Sequence, residues 1–410
     1  MRSIRRLTWW WRSPSIYSDV DESIRHATWL ELFFDLVFVV AVAELGVYLH
    51  DHQTMSGVIN FAALFALVWW IWLDISYYAD VYNTDDPVNR LIMVVIMFGA
   101  VFLSQTIDEA LHGGSFAFGA AFLMMRVPYT MAHLRSRHLE CRVEAKPFIN
   151  HWIGLQVMVT VVWALSLVLP EPQRFGLWIA AFVISTAGIT VIYLVFEQIE
   201  AQVSHFSERL GLFTILVLGE TILAVAFATS VMTWNLRTLL IGGLGFLIAV
   251  TAWWLYFARF DERVIDWAIR GGLDRWLEAR QRGIIHIYAH YPIHGGIVMA
   301  GVGIAVVTEA LLGAEPLHDG GRWALTGGVA AFLIGSAVCH RMSPSAIDNR
   351  VFGLRLAVAA GIGSLAVHAV AMPPLVLLGS IAGAMVGLGL VEALLRTERS
   401  TESSEAVVPR

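Results

Sequence analysis

The sequence predicts an all-α membrane protein of about twelve transmembrane helices in two pseudo-symmetric six-helix halves, and three observations carry that prediction. The 410-residue chain is 57% hydrophobic and only 15% charged, with a mean hydropathy of +0.66, whereas soluble domains carry nearer a quarter charged residues. Apolar stretches able to cross a bilayer core of roughly 30 Å recur along the whole chain. Motifs at the ends of early stretches reappear, in the same order, at the ends of later ones.

The first stretch, His26 to His50 (HATWLELFFDLVFVVAVAELGVYLH), is the most informative. From Trp29 to Leu49 it is almost unbroken apolar sequence, yet it holds Glu31, Asp35 and Glu44. An ionised acid at the centre of a spanning helix costs about 2.5–3.5 kcal/mol on insertion scales, so each needs a partner, water or a proton. Glu31 and Asp35 lie about 40° apart on a helical wheel, while Glu44 is turned about 220° from Glu31. Acids on two sides place this helix inside a bundle.

Further spans are expected at about 56–79, 90–108, 116–134, 150–169, 175–196, 209–229, 236–258, 284–311, 322–340, 352–371 and 373–395. Pro373 and Pro374 between the last two are compatible with a tight turn or with a break inside one long hairpin. Counting Lys and Arg on alternate sides tests the scheme, because cytoplasmic loops collect positive charge. With the N-terminus inside, all 27 fall on the cytoplasmic side except Arg174, Arg237, Arg322 and the intramembrane Arg126. One missed or invented helix would scramble that bias, so both termini are expected to be cytoplasmic. The sixteen Trp residues, many near span ends, fit interfacial anchoring.

Four paired motifs support a duplication. TIDEALHGG (106–114) matches VTEALLGAE (307–315), and WLDISYYAD (72–80) matches WLYFARFDE (254–262). AFLMMR (121–126) matches AFLIGS (331–336), and spans 1 and 7 share a His shortly before a Glu, with a second Glu later: His26, Glu31 and Glu44 against His205, Glu208 and Glu220. The expected organisation is a cytoplasmic N-terminal segment (1–28), a first six-helix repeat (29–200), a second (201–396) and a disordered cytoplasmic tail (397–410). Within the second repeat, residues 259–283 alternate charge with Val264, Trp267, Ala268, Leu273, Trp276 and Leu277 around Gly271 and Gly272, which predicts two short amphipathic helices at the cytoplasmic interface, with a solvated linker as the alternative.

WLELFFDLVFVVAVAEL (29–45) and HFSERLGLFTILVLGETILAV (205–225) resemble the signature segments of the bacterial low temperature requirement protein A family, and YAHYPIHGGIVMAGVG (288–303) is similar to its later His-containing span. The resemblance covers residues 25–395. It implies a polytopic bacterial inner (plasma) membrane protein and brings no substrate or reaction with it.

Function classes narrow quickly. The net charge of −6 says little about partners, because in membrane proteins the placement of Lys and Arg matters more than their sum, and nucleic-acid binding has no support. Residues 1–25 contain Arg2, Arg5, Arg6 and Arg12 but no signal-peptide core with a cleavage site, so the first span is expected to do the targeting. Cys141 and Cys339 lack any CxxC or CxxH spacing, which argues against a zinc site, an iron–sulfur cluster or a disulfide framework. No cofactor, resident metal or catalytic residue is expected.

Chemistry concentrates in the intramembrane polar residues. Glu220 falls near mid-membrane directly after Gly219, which would let another helix or a ligand approach closely; it reads as a site on an ion or proton path, or as an acid neutralised by Arg126. His286, His290 and His294 recur every four residues, a stripe that can relay protons, touch substrate, give two imidazoles to a metal or make ordinary bundle hydrogen bonds. With no cysteine near in sequence, a metal there would borrow a carboxylate from span 1 or span 7. Pro292, Gly295 and Gly296 would loosen that span. Asp74, with Tyr77 and Tyr78, and Arg126, with His133, complete the set. Arg126, the cation farthest from a loop, is the natural counter-ion of Asp35, Asp74 or Glu220. Glu208 and Arg209 open span 7 at the surface. Asp108, Glu109 and Glu309 lie at outer span ends, as vestibule or plain surface. The expected path therefore comprises Glu31, Asp35, Glu44, Asp74, Arg126, Glu220, His290 and His294, between spans 1, 2, 4, 7 and 9. The expected function is proton-coupled secondary transport of a small solute, with the lipid bilayer and that solute or ion as partners. An ion channel, or a membrane-embedded structural or assembly protein for stress adaptation, is the alternative.

Overall fold

The structure is a computed structural model, and it describes residues 15–16, 28–83, 86–139, 146–195, 206–230, 235–260, 276–311, 317–343 and 347–405. The described residues form twelve helices: α1 (Trp29–Asp51), α2 (Met55–Val81), α3 (Pro87–Ser104), α4 (Ser115–Leu139), α5 (Lys146–Ser166), α6 (Gln173–Val195), α7 (Phe206–Ser230), α8 (Leu236–Phe257), α9 (Trp276–Leu311), α10 (Asp319–Met342), α11 (Asn349–His368) and α12 (Pro374–Glu405). A two-residue antiparallel ladder pairs Ser15 with Asn83 and Ile16 with Tyr82. Eleven helices are long and apolar enough to cross a membrane. The exception is α4, whose apolar run is diluted by Arg126, Pro128, Tyr129, Thr130 and His133.

Local chemistry explains where helices start. Thr28 and Glu31 form a reciprocal capping box at α1: the Thr28 amide donates to Glu31 Oε2 at 2.9 Å and the Glu31 amide to Thr28 Oγ1 at 3.3 Å. Asp86 caps α3 by accepting from the Val88 and Asn89 amides, with Pro87 at the first helical position, where its missing N–H costs nothing. Asn235 caps α8 and Asp348 caps α11 in the same way.

Several expectations are corrected. The third span ends at Ser104 rather than near 108; the chain then turns through Asp108 and Glu109 to Gly113, whose φ of +102° favours glycine. The His-bearing span is not broken at Pro292, because α9 runs through it as one helix. The glycines after Pro292 serve packing: a Cβ on Gly296 would stand 2.6 Å from the Gly328 carbonyl oxygen, and one on Gly303 would stand 2.3 Å from the Leu325 nitrogen, so α9 and α10 meet backbone to backbone. Among the described residues, no neighbouring helix uses Gly219, since a Cβ there would meet nothing within 4 Å. Of the amphipathic segment 259–283, residues 276–283 are the first turns of α9, and residues 261–275 lie outside the described residues. The tail expected to be disordered continues α12 as helix to Glu405, and residues 406–410 lie outside the described residues, as does the N-terminal segment apart from 15–16 and 28. Pro373 and Pro374 mark a turn between α11 and α12.

The chain divides into two compact units. The first comprises Met1–Tyr48, Asn60–Phe213 and Glu262–Ile284; the second comprises Leu49–Ile59, Thr214–Asp261 and Ile285–Arg410. In the first, α3 packs on α4, α4 on α5 and α5 on α6. In the second, α10 packs on α11, and α12 on both α8 and α11.

Candidate functional site

Among the described residues, three deeply buried acids in the spans pair with buried arginines, and the first unit holds two such pairs. Asp74 on α2 receives Arg126 Nη1 of α4 at 2.9 Å, the Tyr129 hydroxyl at 2.7 Å and the Gln156 amide of α5 at 3.1 Å. Arg126 also donates to Gln156 Oε1 at 2.6 Å, so one carboxylate ties three helices together. Of the three partners open to Arg126 in the sequence, Asp74 is the one it takes. His133, one turn beyond Tyr129, is buried edge-on against Tyr78 and Tyr129. The second pair joins Asp35 of α1 to Arg209 of α7 at 2.7 Å, with the Trp72 indole donating to the same Oδ1 at 2.8 Å and Arg209 donating to the Ser76 carbonyl at 3.0 Å. Arg209 is 1% exposed, which corrects its reading as a surface residue and the reading of Arg126 as the one deep cation.

A third pair lies in the second unit and was missed. Arg355 of α11, fully buried, holds Glu392 of α12 through Nε at 2.6 Å and Nη2 at 2.9 Å, donates to the Leu255 carbonyl, and donates to His340 Nδ1 at 2.8 Å. Sequence counting placed Arg355 with the cytoplasmic loop charges. The available signal was an Arg just inside one span and a Glu inside the next at the same membrane side.

The histidine stripe is wholly buried: His286 is 2% exposed, and His290 and His294 are 0%. Their rings follow one another with centroids 5.0 and 5.5 Å apart. His290 Nδ1 faces the His286 carbonyl at 2.9 Å, and a carbonyl only accepts, so Nδ1 carries the proton and Nε2 accepts from the Tyr256 hydroxyl of α8 at 2.8 Å. His294 Nε2 meets Thr214 Oγ1 of α7 at 2.9 Å. Cys339 of α10, which the sequence did not bring near, puts its Sγ 3.4 Å from His286 Nδ1.

The remaining expected path residues are placed differently. Glu31 is spent on the capping box of α1. Glu44 is half-buried. Glu220 is half-buried and, among the described residues, makes no hydrogen bond or ion pair. Glu309 lies 3.0 Å from His50 Nε2, while Asp108 and Glu109 are exposed. Of the expected path residues, Asp35 pairs with Arg209, Asp74 with Arg126, His290 with Tyr256 and His294 with Thr214, while Glu44 and Glu220 join none of these sets.

Comparison with known proteins adds the family. The profile of the bacterial low temperature requirement A protein (LtrA) matches residues 26–390. A curated relative, an uncharacterized protein of Rhizobium meliloti (strain 1021), is 30% identical over 345 residues, covering 80% of this chain and 81% of that protein. No solved structure matches. With twelve helices among the described residues, eleven of them of spanning character, and a profile match over most of its length, this chain belongs to the bacterial low temperature requirement A (LtrA) family of multi-helix membrane proteins.

Proposed function

We propose that this protein is a proton-coupled secondary transporter of a small solute in the bacterial inner membrane, with His290, His294 and Glu220 as the proton-handling groups. The observation that carries the reading is the buried file of three imidazoles on α9, flanked by the hydroxyls of Tyr256 and Thr214. A neutral imidazole both accepts and donates, so rings in contact with hydroxyls, His290 with Tyr256 and His294 with Thr214, can take up and release a proton without a mobile ion. Glu220, half-buried and without a fixed partner among the described residues, is the acid free to change charge. Asp35 and Asp74, locked to arginines, are scaffold in this reading. The duplication into 29–200 and 201–396 belongs to it as well, because two repeats in the same orientation suit alternating access.

Transport into proteoliposomes holding an internal pH dye, screened over a small-solute library, tests the reading. Solute-dependent acidification is expected, lost in Glu220→Gln and in His290→Gln/His294→Gln. Wild-type flux in those variants refutes the assignment of residues, and no proton movement with any solute refutes the coupling. A structural or assembly role is the second reading, favoured by the three buried ion pairs, since Asp35, Asp74 and Glu392 are all neutralised by arginines.

A further inference from the structure

We infer that His286 and His290 of α9 and Cys339 of α10 form a binding site for a d10 transition-metal ion, with copper(I) and zinc(II) as the ions whose chemistry fits. One donor atom from each of the three side chains lies within 4.8 Å of the others, and all three residues are buried. Cys339 Sγ stands 3.9 Å from His286 Nε2 and 4.0 Å from His290 Nε2. Around a tetrahedral zinc ion, with Zn–S of about 2.3 Å and Zn–N of about 2.0 Å, sulfur and nitrogen donors sit roughly 3.5 Å apart. Closing on an ion therefore asks for movements of about an ångström, within the reach of side-chain torsions.

The groups behind the donors are already arranged as a metal site needs. His290 Nδ1 is committed to the His286 carbonyl at 2.9 Å and His286 Nδ1 faces the Cys339 carbonyl at 3.2 Å, so both rings carry their proton on Nδ1 and offer the Nε2 lone pair. The Tyr256 hydroxyl, 2.8 Å from His290 Nε2, supplies an oxygen for a fourth corner. Charge selects the ion class. Arg355 is already neutralised by Glu392, and the anion that the three donors themselves bring to the metal is the Cys339 thiolate. One thiolate leaves a copper(I) site neutral and a zinc(II) site with a single positive charge, whereas hard cations such as magnesium, which need several oxygen anions, are excluded. Binding exchanges the thiol proton for the ion: the S–H bond breaks, an S–metal bond forms, and one proton leaves to solvent.

This site stands whether or not the protein transports protons. It shares His290 with the proposed proton line, and an ion there takes the lone pair a proton would use, so an occupied site and a conducting one exclude each other.

The test uses the full-length protein in detergent, stripped by chelator, reduced, with any affinity tag removed. Cobalt(II), as a coloured stand-in for zinc(II), is expected to give a near-ultraviolet thiolate-to-cobalt band that saturates at one equivalent in the wild type and in Cys141→Ser. That band should vanish in Cys339→Ser, and His286→Gln should weaken binding at least tenfold. Zinc(II) and copper(I), each competed against a chromogenic chelator, show which ion binds more tightly, and either winner supports the site. Because the variants can misfold, X-ray absorption on the wild type with the bound ion gives a reading independent of them. One sulfur at about 2.3 Å with imidazole nitrogens at about 2.0 Å supports the assignment. A shell of oxygen and nitrogen only, a band that survives Cys339→Ser, or no binding of any of the three ions by the wild type overturns it.

Discussion

Asp74 and Arg126 show how single residues behave once taken out of water. The carboxylate receives hydrogen bonds from Arg126, Tyr129 and Gln156, so its partners satisfy it fully, yet breaking such a set is costly because the survivor stays charged and dry. Arg126→Ala should destabilise the protein by about 3–5 kcal/mol in detergent unfolding, and Asp74→Asn in the same chain should restore part of the loss. Adding Asp35→Asn instead should restore nothing, since Asp35 belongs to Arg209. That Arg126 needs an acid is legible in the sequence, because an unpaired guanidinium is not tolerated in an apolar helix. Which acid it takes is not, because Asp35, Asp74 and Glu220 are equivalent until helices are packed. Arg209 and Arg355 were hidden by their closeness to span ends, where a long side chain can equally well reach water or turn inward.

Two elements separate local from tertiary causes. The start of α1 is local: Thr28 and Glu31 satisfy each other's amides, so Thr28→Ala should cost about 1 kcal/mol. Glu31→Gln should leave both stability and any transport near wild type, since Gln can fill the same capping role; loss of transport in that variant would return Glu31 to the ion path. The α9–α10 contact is tertiary. Gly303→Ala, whose Cβ would sit 2.3 Å from the Leu325 nitrogen, should lose about 1–3 kcal/mol in thermal unfolding because neither backbone can yield. Gly361→Ala on α11, where nothing lies within 4 Å, should be neutral or stabilising by up to about 1 kcal/mol. Helix positions were readable because spanning length and apolar content are properties of a stretch alone. The use of Gly296 and Gly303 was not, because a glycine that loosens a helix and one that admits a neighbour look the same in sequence.

At the scale of the whole molecule, the testable property is orientation. In a chain with Cys141 and Cys339 replaced by serine, cysteines at Ser56, His112 or His318 should label from outside the cell, and cysteines at Arg137 or Glu278 only after the membrane is opened; all five side chains are exposed, so access reports side rather than burial. Outside labelling at Arg137 would reverse the orientation given by the positive-inside count. The sequence by itself determined the class of the molecule, the rough positions of its apolar helices and the family, because hydropathy, charge bias and long motifs are additive along the chain and survive without knowledge of contacts. Only the tertiary structure decided the pairings Asp35–Arg209, Asp74–Arg126 and Glu392–Arg355, and the meeting of Cys339 with His286 across more than fifty positions of chain. The physical reason is that a buried charge or a soft ligand demands a partner without specifying one; the choice falls to whichever group the packing of helices brings within about 3 Å.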